Sequence, residues 1–344
     1  MQQGAVKRYS SIDIFKLIFA VYIVVYHLFR ITNKNTVLMD CMTELVVPFF
    51  FVTSGFLLFD KIQNNPDKKK SVVFGYCKRI LQLYFIWSAV MLIFKIPEII
   101  NNGFDIKKQF IWWGKYFRVL FLIGDYQLWY LIGLVWASIL FYFLYRSNKL
   151  NKPIIMAILL WIIRIILDCN LYKSLNSPIL NEIVKYYNFI FGTTQNGIFA
   201  GFVFLVLGCV FAKYKIKITN YTTLFIISIV VTVISFLGLY YSQKSSQMVI
   251  AYLTLVIEVA GCFATCIVIP IYNIKTKKLG ELSTIIYVSH MSIILLAHRV
   301  MELLGVQIIA NHTLFVILTT IIIVLIGIII CFVGNKNKIV RKFY

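Results

Sequence analysis

The hydrophobic residues of this chain form long uninterrupted runs, and short polar or basic stretches separate them. A helix needs about 20 consecutive apolar residues to cross the hydrocarbon core of a bilayer. The pattern therefore predicts an all-α, polytopic membrane bundle of about ten transmembrane helices. The predicted spans are 12–31, 37–60, 80–96, 127–145, 153–168, 189–212, 221–241, 248–272, 284–305 and 310–334.

Segment 97–126 departs from this pattern because it mixes apolar, aromatic and charged residues. Its stretch 111–123 contains two tryptophans and two basic residues, which is typical of an amphipathic interfacial or re-entrant piece. The first apolar run contains Lys16 and His27 and lacks a small-residue cleavage site, so it predicts a retained helix rather than a signal peptide. We expect one membrane-embedded domain over residues 1–344.

Composition agrees with a membrane location. The chain is 60% hydrophobic and 14% charged, with a mean hydropathy of +0.85, whereas ordinary globular domains are about 25% charged. The formal net charge is +21, which in a soluble protein would suggest a nucleic-acid partner. Here the basic residues lie between apolar runs, so we expect the lipid bilayer as the partner and no nucleic acid. The seven cysteines lack metal-ligand spacing, so we expect no metal.

The basic residues also predict an orientation. With the N-terminus in the cytoplasm and an even number of spans, 21 of the 34 Lys and Arg residues fall on the cytoplasmic side. This asymmetry is what the positive-inside rule requires. The sequence therefore predicts a multi-pass protein of the cell (plasma or inner) membrane with both termini cytoplasmic.

The first predicted helix contains Asp13, Lys16 and His27. An ionisable group at membrane depth costs at least about 2.5 kcal/mol, so it normally faces protein or water and is functional. Lys16 and His27 are eleven residues apart, which places them on one helix face and about 16 Å apart along the axis. Asp13 falls on the same stripe. The alternative is that Lys16 extends to the interface while His27 bonds a neighbouring helix.

The second helix contains Asp40 and Glu44, one turn apart. Glu44 is expected at a depth similar to that of His27, where its carboxylate would hold one ring nitrogen and raise the basicity of the other. The alternative is that both acidic residues stabilise the start of the helix.

Small and basic residues give two further hypotheses. Ser54 and Gly55 lie within an aromatic run and permit a close helix approach. Lys78 and Arg79 open the third predicted helix, where they satisfy the charge rule or bind a phosphate through the planar guanidinium.

Two polar features deeper in the chain are interpreted as structural. Arg164 and Asp168 are four residues apart, which is the spacing of an ion pair on one helix. Glu258 lies within an apolar run and has no partner that the sequence identifies.

Five motifs, taken together and in this order, resemble the bacterial acyltransferase-3 family. They are Asp13-x-x-Lys16-x10-His27, Phe-Phe-Phe-Val-Thr-Ser-Gly-Phe at 49–56, Lys78-Arg79-Ile80, Leu128-Trp129-Tyr130-Leu131, and Leu-Gly-Glu-Leu-Ser-Thr-Ile-Ile-Tyr-Val-Ser-His at 279–290. The family comprises membrane-bound O-acyltransferases that modify extracytoplasmic glycans and related acceptors.

This resemblance implies a cytoplasmic acyl-CoA donor, usually acetyl-CoA, and a hydroxylated acceptor such as an envelope glycan on the other side. There are departures from the family's pattern. Lys16 replaces a commoner arginine, Gln82 stands where a second arginine is common, Phe85 stands near an expected proline, and Gln127 stands where histidine is frequent. They bear on donor affinity more than on the reaction class.

Residue roles follow from both lines of reasoning. We expect His27 to act as general base with Glu44 as its orienting partner, and a covalent acyl-histidine is the alternative. Lys16, Lys78 and Arg79 are predicted to bind the phosphates of the donor. The predicted substrate-binding residues are Asp13, Ser54, Trp129 and His290.

Two other function classes use the same charged residues. A proton-coupled transporter or exporter of a glycan or lipid-linked precursor would also carry them, although we detect no inverted repeat of the kind common in transporters. A structural membrane protein would not need Lys16 and His27 on one face. Binding of acetyl-CoA separates the enzyme from both.

Overall fold

The computed structural model describes residues 9–101, 103, 105–214, 221–269, 276–305 and 312–344. All regular secondary structure in these residues is helical, which confirms the all-α prediction. The α-helices are α1 (Ser10–Ile31), α2 (Val37–Gln63), α3 (Lys69–Ile93), α4 (Ile96–Asn101), α5 (Ile106–Arg118), α6 (Trp129–Leu144), α7 (Asn151–Asp168), α8 (Pro178–Ile190), α9 (Phe202–Lys213), α10 (Tyr221–Lys244), α11 (Met248–Val268), α12 (Lys277–Leu303) and α13 (His312–Lys336).

Within the described ranges, eight helical segments are long and apolar enough to cross a membrane. They contain α1, α2, α3, α6, α10, α11, α12 and α13. The other two predicted spans, 153–168 and 189–212, correspond to the 18-residue α7 and to the shorter apolar segment Gly197–Lys213. Some predicted features lie outside the described residues. These are five of the 21 basic residues expected on the cytoplasmic side (Lys7, Arg8, Lys215, Lys217 and Lys275) and positions 270–272 and 310–311 of two predicted spans.

Two helix boundaries differ from the prediction. Span 189–212 joins the end of α8 to α9, but Gly192 adopts a left-handed φ of 69° and Asn196 Oδ1 accepts hydrogen bonds from the backbone N–H groups of Ile198 and Phe199. These features end one helix and cap the next. The third helix begins at Lys69 rather than at residue 80, because lysines continue a helix even where the apolar run has ended. Arg79 therefore lies about 15 Å inside α3.

Helices α1 and α12 run parallel and in a fixed register. At one end, Thr276 Oγ1 donates a 2.8 Å hydrogen bond to Asp13 Oδ2. Fourteen residues farther along both helices, the rings of His27 and His290 stack with centroids 5.2 Å apart. The two contacts are about 21 Å apart along the helix axes. The ionisable face of α1 therefore packs on the motif at 279–290.

Helices α2 and α9 approach through glycines. A Cβ on Gly55 would lie 2.0 Å from the backbone oxygen of Leu205, and a Cβ on Gly208 would lie 2.0 Å from that of Val52. No side chain fits at either position, so the backbones pack directly on each other. This confirms that Gly55 permits a close helix approach.

Segment 97–126 contains α4, α5 and a five-residue π-helical turn at Val119–Ile123. In α5, Ile106 and Phe110 are 85% and 80% exposed, which leaves an apolar face uncovered by protein. Trp112 stacks on Tyr116 with ring centroids 5.4 Å apart. The amphipathic character is as predicted, while the placement of α5 at the membrane interface stays a prediction.

Candidate active site

A cationic cavity opens at the end of the bundle where both ends of the described chain meet. It consists of two overlapping cavities of about 360 and 480 Å³. Their shared lining residues are Lys16, Leu57, Arg79, Thr284, Arg341 and Tyr344. Tyr9 lines the same space as Tyr344, so both chain ends lie at one end of the bundle. The assignment of that end to the cytoplasm stays a prediction.

Positive charge dominates this cavity. Its walls carry five basic side chains, Lys16, Arg79, Lys277, Arg341 and Lys342, against the acidic Asp13 and Glu281. Lys277 is already paired with Glu281 at 3.9 Å, and Asp13 accepts the hydrogen bond from Thr276. With five basic against two acidic side chains, the cavity has a net positive charge, which suits a ligand with several negative charges.

The C-terminal segment contributes to this cavity in a way that the sequence reasoning missed. Residues Val340–Phe343 form a short 3₁₀ turn. Trp87 Nε1 of α3 donates to the backbone oxygen of Phe343 at 3.0 Å, and Tyr344 OH donates to that of Cys331 at 3.4 Å. Folded back in this way, the tail places Arg341 beside Arg79 in the cavity wall.

Lys78 and Arg79 are neighbours on α3, but their side chains face different surroundings. Arg79 lines both parts of the cationic cavity, whereas Lys78 is exposed and lines none of the described cavities. Adjacent helix residues point about 100° apart, which explains the difference. The structure therefore brings Lys16 and Arg79 together and leaves Lys78 outside.

Tyrosines close the inner end of the cavity. Tyr130 OH donates to the backbone oxygen of Phe50 at 3.2 Å and lies 2.8 Å from Ser54 Oγ. Since one phenol carries one proton, the Ser54 hydroxyl donates to Tyr130. Tyr287 OH donates to the backbone oxygen of Gln127 at 2.9 Å. Ser54, Tyr130 and Tyr287 all line the cavity, so α2, α6 and α12 jointly form its floor.

A histidine pair lies next to this floor. The rings of His27 and His290 are stacked with an interplanar angle of 28°, and the Tyr287 ring lies 5.9 Å from that of His290. His290 Nδ1 is 2.7 Å from the backbone oxygen of Tyr287. A carbonyl oxygen only accepts, so Nδ1 carries the proton and Nε2 keeps its lone pair in the neutral ring. Nε2 is buried and makes no hydrogen bond to the described residues.

His27 is the more accessible member of this pair. Its side chain is half-buried, whereas His290 is completely buried. The ring of Tyr26, the preceding residue, lies 5.5 Å from that of His27. Two rings therefore contact the His27 imidazole, which is not part of the lining of the cationic cavity.

Glu44 and Trp129 lie elsewhere, in a second cavity of about 60 Å³. Arg164 lines the same cavity and pairs with Asp168 at 3.3 Å, which confirms the predicted ion pair. Among the described residues, no hydrogen bond or ion pair joins Glu44 to His27. The orienting role predicted for Glu44 therefore has no contact to support it.

Two other acidic residues of the sequence analysis have defined surroundings. Asp40 accepts hydrogen bonds from Tyr26 OH at 2.9 Å and from Asn35 Nδ2, so its contacts are structural. Glu258 is completely buried, and neither carboxylate oxygen has a hydrogen-bond partner in the described part of the chain. Across that same part, no three His, Cys, Asp or Glu side chains group as metal ligands would.

Comparison with known proteins gives one family and three curated relatives. The acyltransferase domain model matches residues 9–333. Two proteins of Enterococcus faecalis, each named amino-acid racemase, are 29% identical over 59% of this chain and 26% identical over 85% of it. A serine/alanine racemase of Enterococcus gallinarum is 27% identical over 64% of the chain. The matched segments cover 28%, 42% and 32% of those proteins, respectively. No solved structure matches.

Proposed function

This chain belongs to the acyltransferase-3 family, and from that premise we propose that it moves an acyl group, acetyl in the first place, from cytoplasmic acyl-CoA to a hydroxyl of an extracytoplasmic acceptor such as an envelope glycan. The apolar helices and the family together make it a membrane acyltransferase.

One observation carries the proposal. The cationic cavity and the histidine pair lie on the same two parallel helices, with Lys16 and Thr284 in the cavity wall and His27 and His290 farther along. Lys16 and His27 are about 16 Å apart along the axis of α1. A donor with phosphates at one end and a thioester at the other matches this separation of cation and base.

Donor binding in this scheme uses the cations first. Arg79 and Arg341 contact phosphate oxygens through their planar guanidinium groups, and Lys16 adds a third charge deeper in the cavity. The apolar and tyrosine-lined part of the cavity holds the pantetheine arm. Lys78 has no role in this scheme, because it lies outside the cavity.

The transfer step needs a base for the acceptor hydroxyl and an acid for the leaving thiolate. His27 takes the proton from the acceptor hydroxyl as its oxygen attacks the thioester carbonyl; the carbon–sulfur bond then breaks, and the protonated His27 returns this proton to the CoA thiolate, which leaves as the thiol. The acyl group ends as an ester on the acceptor. His290, held by the Tyr287 carbonyl, positions the His27 ring by stacking. In the alternative, His27 itself attacks and carries the acyl group before passing it on.

The racemase names of the relatives do not extend to this chain in the proposal. The chain spans less than half of each of those proteins, and its own residues 9–333 match the acyltransferase domain, so racemase activity is not assigned to it.

The test is acyl transfer by His27→Gln protein in membrane vesicles supplied with labelled acetyl-CoA and native envelope acceptor. Removing a general base lowers the rate by roughly 10²- to 10⁴-fold, while donor binding is expected to change by less than about threefold, since His27 lies outside the cationic cavity. The matched control is His298→Gln, a histidine of α12 that pairs with Glu302 at 3.4 Å, which should keep wild-type transfer. Transfer by His27→Gln within a few-fold of wild type would refute the assignment.

A further inference from the structure

The second cavity holds opposite charges that do not meet. Glu44 of α2 and Arg164 of α7 line the same cavity of about 60 Å³. Among the described residues, no ion pair within 4.0 Å joins them, and Arg164 pairs instead with Asp168.

Arg164 is buried against two aromatic rings, and part of its guanidinium has no partner among the described residues. Its guanidinium carbon lies 4.9 Å from the ring centroids of both Trp161 and Tyr252. Its Nε donates to Asp168 at 3.3 Å, and the two terminal nitrogens make no hydrogen bond to any described residue. Asp168 is otherwise satisfied, since it accepts from Tyr252 OH at 2.7 Å and from Thr194 Oγ1 at 2.6 Å. A planar fork of donors is therefore left for an external acceptor such as a carboxylate.

Glu44 supplies the complementary group. Its side chain is exposed to the cavity, and it makes no hydrogen bond or ion pair within the described ranges. A carboxylate of this kind accepts hydrogen bonds from an ammonium group. Trp129 provides an aromatic wall beside it.

We infer that this cavity binds a small zwitterion of the amino-acid type, with its ammonium group on Glu44 and its carboxylate on Arg164. A cavity of about 60 Å³ has room for about two waters at about 30 Å³ each, which suits the charged end of such a molecule rather than the whole of a large one. A lone cation would leave the Arg164 fork unused, and a lone anion would leave Glu44 unpaired.

The site lies next to the cationic cavity, which gives the bound zwitterion a place in the proposed acyl transfer. Trp129 lines this cavity, and the next residue, Tyr130, lines the cationic cavity, so one layer of α6 side chains separates the two. A hydroxyl-bearing zwitterion bound here is an acyl acceptor that meets the donor across this layer; this acceptor role rests on the proposed function. The binding itself is measurable with no acyl donor present, which keeps the two claims separable.

The experiment measures equilibrium binding to the purified full chain in nanodiscs. The probes are serine and two analogues that keep the hydroxyls but lose one charge, 2-amino-1,3-propanediol (no carboxylate) and glycerate (no ammonium). We expect saturable serine binding at least about tenfold tighter than either analogue, the ratio that one lost charged hydrogen bond gives. Glu44→Gln should weaken serine binding about tenfold and remove its advantage over glycerate. Arg164→Lys should remove the advantage over 2-amino-1,3-propanediol, because the fork is lost while the charge stays.

The matched control is Glu182→Gln, which removes one negative charge from an exposed pair with Lys185 on α8 and should leave serine binding unchanged. Monodisperse elution and an unchanged unfolding midpoint establish that each variant is folded. The inference is overturned if wild-type protein shows no saturable serine binding, if the three probes bind equally, or if Glu44→Gln and Glu182→Gln weaken binding alike. Serine binding that persists in His27→Gln protein, with transfer lost, supports both claims separately.

Discussion

Arg79 and Lys78 offer a sharp test of how the donor is held, because they are adjacent, both basic and both exposed, and only Arg79 lines the cationic cavity. We predict that Arg79→Gln weakens acetyl-CoA binding while Lys78→Gln does not. The pair separates a specific phosphate contact from the general effect of removing one positive charge near the membrane surface.

The size of the effect follows from the contact that is lost. A hydrogen bond between charged groups contributes about 1.5 to 3 kcal/mol, which corresponds to roughly 10- to 150-fold in the dissociation constant. Arg79 is exposed on one side, and solvent screens its charge there, so the lower part of this range is expected. Arg79→Lys should fall between wild type and Arg79→Gln, since it keeps the charge and loses the fork.

Binding of radiolabelled acetyl-CoA to protein in nanodiscs, without acceptor, measures this directly. The wild-type affinity should also fall as salt rises, because part of the attraction is screened. The reasoning is refuted if Arg79→Gln and Lys78→Gln both bind within twofold of wild type. It is equally refuted if the two variants lose the same affinity.

Two other variants test the fold and the tail of the cavity. Gly208→Ala should lower the thermal unfolding midpoint, because its Cβ would lie 2.0 Å from the Val52 oxygen and such overpacking costs about 1 to 3 kcal/mol. The control Gly75→Ala, which has nothing within 4 Å, should be neutral or stabilising. Equal midpoints for the two variants would contradict the close packing of α2 and α9. Arg341→Gln should weaken acetyl-CoA binding about tenfold, the value for one charged contact. Lys338→Gln, which changes a nearby basic residue outside the cavity, should leave binding unchanged. Equal acetyl-CoA affinities of the two variants would show that the tail does not belong to the donor site.

The apolar runs predicted the helices well because lipid leaves few alternatives for the backbone. Helix ends were less predictable. Asn196 divides an apolar stretch through its side-chain hydrogen bonds, and lysines before residue 80 extend α3 beyond its apolar part. Apolar runs contain neither signal, although an Asn that precedes a glycine is a recognisable cap.

In the candidate site, features within one helix could be predicted from the sequence, whereas contacts between helices far apart in sequence could not. The stripe of Lys16 and His27 follows from helix periodicity alone, whereas the stacking of His27 on His290 depends on the packing of helices far apart in sequence. No local feature of the sequence indicates that the tail folds back onto α3, so the sequence does not predict Arg341 as a cavity residue. Glu44 was assigned to His27 from depth, but depth does not determine the direction in which a helix face points.

The most direct test of the central claim is the sidedness of acyl transfer in inverted membrane vesicles, in which the cytoplasmic face points outward. Labelled acetyl-CoA is added outside, and label is measured on acceptor enclosed in the lumen. We predict lumenal ester label with wild-type protein, and a loss of roughly 10²- to 10⁴-fold with His27→Gln. Label that reaches the lumen equally well with His27→Gln, or that forms only when acetyl-CoA is supplied at the opposite face, would contradict a cytoplasmic donor site with His27 as the base.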